Sequence, residues 1–360
     1  MLYSILYGLH DWFSPLNVFR YITFRSSLAV LTAMVFSLLL GPLIIGKLKT
    51  LSMTQQIRDD GPKAHMGKVG TPTMGGVLII LSMLLSVFMW GDLKNVYIWT
   101  MIISLAGFGL IGFVDDYLKI KRRNHRGLRA YQKFGMQIAL ALLIGIFLYM
   151  NPEDAYADVL IIPFFKKWLF DLGLLYIPFS VLVMVGASNA VNLTDGIDGL
   201  AIGLVAVAVL ANGVLVYISG HKGLAQYLQV LYLPGTGELT VFCGAMFGAA
   251  VGFLWFNSYP ADVFMGDIGS LGLGGALGTL AVITKHEIVL AIVGGIFVIE
   301  TISVMLQVVS FKVTGRRIFK MAPIHHHFEL KGWPEPKVIV RFWIVGIMLA
   351  LLSLATLKVR

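Results

Sequence analysis

The chain has 360 residues, 58% of them hydrophobic and 13% charged, with a mean hydropathy of +0.83. A water-soluble domain carries about 25% charged residues, so this composition excludes one and specifies an all-α polytopic membrane protein. The net charge of +9 does not point to nucleic acid, because the basic residues lie between apolar spans, where they serve membrane orientation and anionic ligands.

Taken in order, residues 1–19 lack a basic leader and mix polar residues with aromatics, which predicts an interfacial segment rather than a cleaved signal. A membrane span needs about 20 mostly apolar residues. Ten are predicted, over 24–46, 72–92, 96–114, 134–150, 172–191, 199–219, 238–256, 269–284, 288–310 and 338–357. The eighth is short and rich in glycine, which predicts burial against neighbouring helices. Segment 151–171 is an outer loop with room for a short hairpin, and 220–237 is another. The single Cys243 excludes an internal disulfide, and no Cys/His spacing suits zinc. The whole of 1–360 is expected to form one transmembrane helical domain.

Ten spans place both termini on one side. Loops 47–71, 115–133, 192–198, 257–268 and 311–337 then share the other side. Together with Arg341 at their edge they hold 19 of the 28 lysines and arginines. Positive charge marks the cytoplasm, so these five loops are expected in the cytoplasm and both termini in the periplasm.

Nearly every unusual polar motif falls on those loops. Asp115-Asp116 stand where the third span meets Lys119, Lys121, Arg122, Arg123, Arg126, Arg129 and Lys133. Adjacent carboxylates at the edge of a bilayer are costly and repel each other, so a divalent cation there is expected. The alternative is a helix end whose acids reach into water. Lys68-Val69-Gly70-Thr71-Pro72-Thr73-Met74-Gly75-Gly76 reads either as an anion-binding helix start or as a plain one, with Thr71 as cap and Pro72 in the first turn. The stretch Asn189 to Gly199 contains Asn192, Leu193, Asp195, Gly196 and Asp198 with no basic residue among them. Such oxygen donors suit a hard cation or a nucleoside, or simply a turn. Asn257 and Phe264 precede Asp267, which sits just after Gly266. Phe264 could stack on a base or pack at the membrane interface. His325, His326 and His327 cannot share one face of a helix, so they read as a loop pointing one or two imidazoles into a site. Metal, phosphate and proton transfer are all open to them, and Arg316, Arg317 and Lys320 favour phosphate. Glu300 and Gln307 lie inside the ninth span, where hydrogen bonding between helices is expected.

Carboxylates and basic side chains at one membrane surface imply Mg²⁺-assisted phosphoryl transfer on a diphosphate, with one substrate held in the membrane. A transporter would instead place its polar groups near the midplane.

The motifs Gly70 to Gly76, Asp115-Asp116-Tyr117, Asn189 to Gly199, Phe264 to Ser270 and Ala322 to His327 resemble the polyprenyl-phosphate N-acetylhexosamine-1-phosphate transferase superfamily. The histidine triplet resembles its muramoyl-pentapeptide branch. The resemblance runs over essentially the whole chain, with Val69 departing from the basic pair expected after Lys68. It implies ten transmembrane helices, a homodimer, Mg²⁺, and transfer from UDP-N-acetylmuramoyl-pentapeptide to undecaprenyl phosphate, with no nucleic acid partner. It implies Asp267 and Asp116 as metal ligands and Asp115 at the lipid phosphate. Lys68, Asn192, Asp195, Asp198 and Phe264 would hold uridine, with Thr73, Leu193, Gly196 and Asn257 beside them. His325, His326 and His327 would hold diphosphate or sugar. Lys119, Arg123 and Lys133 would attract the lipid phosphate, unless they are only positive-inside charge. A transferase using UDP-N-acetylglucosamine and a multi-pass transporter are the alternatives.

The charge split makes a topology prediction. In a variant lacking Cys243, cysteines at positions 116 and 326 should react with an impermeant thiol reagent only after the membrane is opened, and one at position 360 in intact cells. Labelling of position 326 from outside would overturn the orientation.

Overall fold

The apolar runs form helices because backbone groups in a bilayer must bond within their own segment. The computed structural model describes residues 1–51, 70–122, 127–151, 156–163 and 169–357. Its helices are α1 (Leu2–Gly8), α2 (Ile22–Thr50), α3 (Gly76–Trp90), α4 (Val96–Lys121), α5 (Ala130–Tyr149), α6 (Tyr176–Thr194), α7 (Leu200–Gly220), α8 (Lys222–Leu228), α9 (Leu239–Asn257), α10 (Gly266–Thr284), α11 (Glu287–Val293), α12 (Gly295–Thr314), α13 (Ile324–Glu329) and α14 (Glu335–Ala355). Among the described residues nine helical segments are long and apolar enough to cross a membrane, and α3 is a shorter apolar helix. The chain is therefore a multi-pass membrane protein. The hairpin in the 151–171 loop is present, with β1 (Val159–Ile161) antiparallel to β2 (Leu169–Asp171) and Val159 opposite Asp171.

Small residues set the helix spacing. On α9, Gly244, Gly248 and Gly252 recur every four residues and so share one face. A Cβ at Gly248 would overlap the Val30 carbonyl of α2. The glycine-rich eighth span, α10, is buried as expected, every residue from Ile268 to Thr284 being inaccessible. It packs between α4 and α6, where Gly112 of α4 lies against the Asp267 backbone and Gly274 of α10 against Ser188 of α6.

Three expectations need correction. The ninth span is not one helix. It breaks at Gly294, between α11 and α12, because a glycine pair tolerates a kink that most residues resist. The histidine triplet is not a loop but part of the short helix α13, which starts after Pro323. The third correction concerns Thr71 and Pro72, which do not start a helix. Residues 72–76 run beside 264–265 instead, with Phe264 N donating to Pro72 O at 2.8 Å, Gly75 N to Phe264 O at 2.9 Å and Gly76 N to Met265 O at 2.8 Å. Two motifs distant in sequence thus zip together, and α3 begins only at Gly76.

At that zipper a Cβ on Gly76 would overlap the backbone nitrogen of Gly269. Backbone cannot yield as a side chain can, so Gly76→Val should destabilise by at least the roughly 1–3 kcal/mol typical of overpacking. Thermal denaturation in detergent should show a lower midpoint, and an unchanged midpoint would mean that the α3–α10 approach is not tight.

Candidate active site

The α4 helix does not stop where its apolar run ends but continues to Lys121. Asp115 and Asp116 therefore stay on a helix, 3% and 4% exposed. Asp116 Oδ2 accepts from the backbone N–H of Asp267 at 2.8 Å. It thus caps the amino end of α10, which has no side-chain cap of its own, and that end favours negative charge. Gly266 makes the approach possible. Its φ is +71°, and a Cβ there would sit 2.6 Å from Asp116 Oδ2.

Asp267 completes a group of three carboxylates whose oxygens lie within 4.8 Å of one another. Lys119 Nζ touches all three, at 2.7 Å from Asp115, 3.2 Å from Asp116 and 2.9 Å from Asp267. Lys133 Nζ, from α5, lies 2.7 Å from Asp267 and 3.8 Å from Asp115. Asn192 Nδ2, from α6, donates to Asp267 Oδ1 and to Ser270 Oγ, both at 2.8 Å. Leu128 N donates to Asp115 Oδ1 at 2.7 Å. So Lys119 and Lys133 are not loose surface charge. They are internal counter-charges, because the buried acids leave them no better place. Asn192 likewise stands in the acid cluster.

Three carboxylates facing two ammonium groups leave a net negative charge. Asp195, one turn beyond Asn192, brings a fourth carboxyl group beside them. Burial first, then the carboxylates of Asp267 and Asp116, push Asp195 up to about 8, so in this arrangement it is largely protonated at neutral pH. Oxygen donors converging under excess negative charge suit a hard divalent cation. Among the described residues no other group of three His, Cys, Asp or Glu side chains could hold a metal ion.

The α6–α7 turn links this cluster to the histidines. A Cβ on Gly196 would overlap His325 Nε2 and come within 3.4 Å of His326 Nε2. His325 is wholly buried, with Nδ1 3.1 Å from Glu300 Oε1 of α12. His326 Nδ1 lies 2.7 Å from Glu329 Oε2. His327 turns away from that point, its Nδ1 accepting from the backbone N–H of Lys320 at 3.0 Å. Burial, then the nearby Lys331 and Lys320, lower its basicity.

Two expected ligand residues also bracket the turn. Asp198, 3% exposed, accepts from Ala261 N at 3.1 Å, and its own N–H donates to Glu335 Oε1 at 3.0 Å. Asn257 is also buried. It accepts from Gly199 N at 3.0 Å and donates to Val263 O at 2.9 Å. A short turn must satisfy its buried backbone groups, and these side chains do so. Thr73 is buried beside Gly266, while Leu193 and Phe264 are half-buried. Lys68 and Arg123 lie outside the described residues.

Glu300 and Gln307 do not join transmembrane helices to one another. They stand two turns apart on α12 and grip the segment that carries the histidines. Gln307 accepts from Phe319 N at 2.9 Å and donates to Phe319 O at 3.0 Å. Ser270, Glu329 and Glu335 belong to the site without having been given a role there. Ser270 closed the motif Phe264 to Ser270, Glu329 stands three residues beyond His326, and Glu335 gave no sequence signal.

A family profile described as Glycosyl transferase family 4 matches residues 98–285, which contain all three acids. A phospho-N-acetylmuramoyl-pentapeptide-transferase signature matches residues 68–80. The chain is similar to proteins named phospho-N-acetylmuramoyl-pentapeptide-transferase from Thermodesulfovibrio yellowstonii, at 67% identity, from Desulfosudis oleivorans, at 57%, and from Citrifermentans bemidjiense, at 56%. Each match covers 100% of both chains. With such identity sustained from end to end, and with the acid cluster and histidine helix meeting at one end of the bundle, the chain belongs to the phospho-N-acetylmuramoyl-pentapeptide transferase family.

Proposed function

We propose that this chain transfers phospho-N-acetylmuramoyl-pentapeptide from UDP-N-acetylmuramoyl-pentapeptide to undecaprenyl phosphate. The products are lipid I and UMP, and the reaction is the first membrane step of peptidoglycan synthesis. The observation that carries this reading is the 67% identity over the full length of a relative of that name. The geometry supports it, because the acids and histidines converge at one end of the helices, as transfer between a soluble donor and a membrane-held acceptor requires. That end is taken as cytoplasmic, in a bacterial inner membrane, and the assembly as a homodimer.

Asp267 and Asp116 would hold Mg²⁺, which supplies neutralisation of the donor diphosphate when bound. Lys119 and Lys133 pair with Asp267, and their ammonium groups draw the lipid phosphate toward Asp115. Asp115 is held still by the Leu128 N–H and by Lys119, so it orients that phosphate. Asn192 fixes the rotamer of Asp267. Asp195, protonated, presents a hydrogen-bond donor to the uridine, and Phe264 offers a face for stacking. Asp198 and Asn257 hold the turn from which these groups project. His325 and His326 face the sugar-phosphate part of the donor. Lys68 and Arg123 add positive charge for the donor and the lipid phosphate.

The acid cluster leads to a metal prediction. Chelation should abolish UMP release and Mg²⁺ restore it. Asp267→Asn should lower turnover by about two to three orders of magnitude, the scale of losing a group that stabilises transition-state charge. Folding should persist, since the amide still accepts from Asn192. Undiminished turnover in Asp267→Asn would remove the residue from the reaction.

The histidine helix leads to a donor prediction. A donor carrying a peptide arm gains contacts that can appear in turnover as well as affinity. With undecaprenyl phosphate as acceptor, UDP-N-acetylglucosamine should react at least about a hundredfold more slowly than UDP-N-acetylmuramoyl-pentapeptide, or roughly 2.7 kcal/mol. Comparable rates would leave only the broader superfamily assignment, and solute flux in vesicles without UMP release would favour transport.

A further inference from the structure

Three consecutive histidines on one turn of helix cannot face one way, because successive residues are rotated by about 100°. Yet two of them bring the same atom to one place. His325 and His326 stand ring to ring, with centroids 4.1 Å apart. Each has its Nδ1 against a carboxylate, Glu300 for the first at 3.1 Å and Glu329 for the second at 2.7 Å. Each then has its Nε2 against the open side of Gly196. Glu300 is wholly buried in a membrane helix, and neither of its oxygens makes a hydrogen bond among the described residues, so the His325 imidazole at 3.1 Å is the group that faces its charge. An unpaired carboxylate in that position is strongly disfavoured, so its persistence there calls for the imidazole.

We infer that Glu300 and Glu329 are positioning residues that face Nδ1 of His325 and His326, Glu329 through a hydrogen bond and Glu300 through its buried charge, so that His325 braces the α6–α7 turn and His326 presents its Nε2 beside Gly196 toward the nucleotide-sugar donor. A carboxylate bound to one ring nitrogen fixes both the tautomer and the ring orientation. The two pairs differ in reach. Glu300 belongs to α12 and fixes His325 against the α6–α7 turn. Glu329 belongs to α13 itself and fixes His326, which keeps some exposure. His327, with Nδ1 accepting a backbone N–H, takes the opposite tautomer and braces the loop. Glycine at 196 is required because any side chain there would occupy the space the two imidazoles share.

The inference rests on the donor reading above, so its test separates the two. Initial rates are measured with each substrate varied in turn. In Glu300→Leu and in Glu329→Leu the KM for UDP-N-acetylmuramoyl-pentapeptide should rise about tenfold or more, the scale of losing a partner that orients a functional imidazole. The KM for undecaprenyl phosphate should stay within about twofold. Glu300→Gln, which keeps an acceptor oxygen of the same shape, should recover most of the loss. A merely structural role would lower the active fraction and leave both KM values in place, and that result, or equal changes in both, would overturn the inference. The second readout is ¹⁵N spectroscopy of histidine-labelled protein, which needs no turnover. It should place the proton on Nδ1 in His325 and His326 and on Nε2 in His327, with the His325 signal changed in Glu300→Leu. A proton confined to Nε2 of His325 in the wild type would sink the inference even if the enzyme turns over. Failure of the wild type to release UMP, with the tautomers as described, would sink the donor reading alone.

Discussion

The structure depends on three carboxylates held within 4.8 Å of one another at the end of a membrane bundle. Such a group is unstable by itself, because each acid is penalised by burial and by its neighbours. The surrounding helices answer that in three ways. Lys119 reaches back along α4 to Asp115 and Asp116 and across to Asp267. Lys133 comes from α5. The amino end of α10 donates its backbone N–H groups to Asp116, the nearer at 2.8 Å and the farther at 3.4 Å. The cluster thus fixes how four helices meet, and the glycines at 76, 112 and 266 let the backbones come close enough for it. Even so the charge is not cancelled, and Asp195 retains its proton well above the usual carboxylate range. A site that remains negative after its own lysines are counted is prepared for a cation or for a substrate that brings one.

The other half of the site is organised from α12. Glu300 and Gln307 on it are spaced by seven and so lie on one face. That face grips residues 318–319 and His325 while much of the helix stays exposed on its far side, as at Met305, Val309 and Val313. The break at Gly294 allows α12 to take its own direction from α11. A membrane helix has thereby become the support for a loop element. This accounts for an acid and an amide inside an otherwise apolar run, where each would be costly without a partner.

The turn between α6 and α7 joins the halves. In a few residues it supplies Asn192 to the acids, Asp195 beside the amino end of α10, and Gly196 to the histidines. Asp198 and Glu335 close it from behind. A short turn with this many roles has little freedom to move one group without the others, so the acid cluster and the histidine helix are tied together through its backbone.

Much was legible in the sequence. Ten apolar runs predicted ten spans, and among the described residues nine helices are long and apolar enough to cross a membrane while the second run forms the shorter α3, because hydrophobic thickness sets span length whatever the packing. Glycine spacing predicted the burial of α10. The uncompensated pair Asp115-Asp116 marked the site, since nothing but a cation makes such a pair tolerable there. Other features depended on distance between segments far apart in the chain. The lysines at 119 and 133 read as attraction for a lipid phosphate or as plain loop charge, and their pairing with the acids came into view only once α4 and α5 were placed against α10. Asp198 and Asn257 carried the residue types of a binding loop, and only the neighbouring backbone showed that they also bracket the turn. The histidines read as a loop because they cannot share one helical face. In the fold they do not need to, as Glu300, Glu329 and the Lys320 N–H each take one. Composition and periodicity report what a residue can do with its immediate neighbours and its solvent. Which carboxylate meets which cation is decided by helix contacts across more than a hundred residues, and only the tertiary structure contains them.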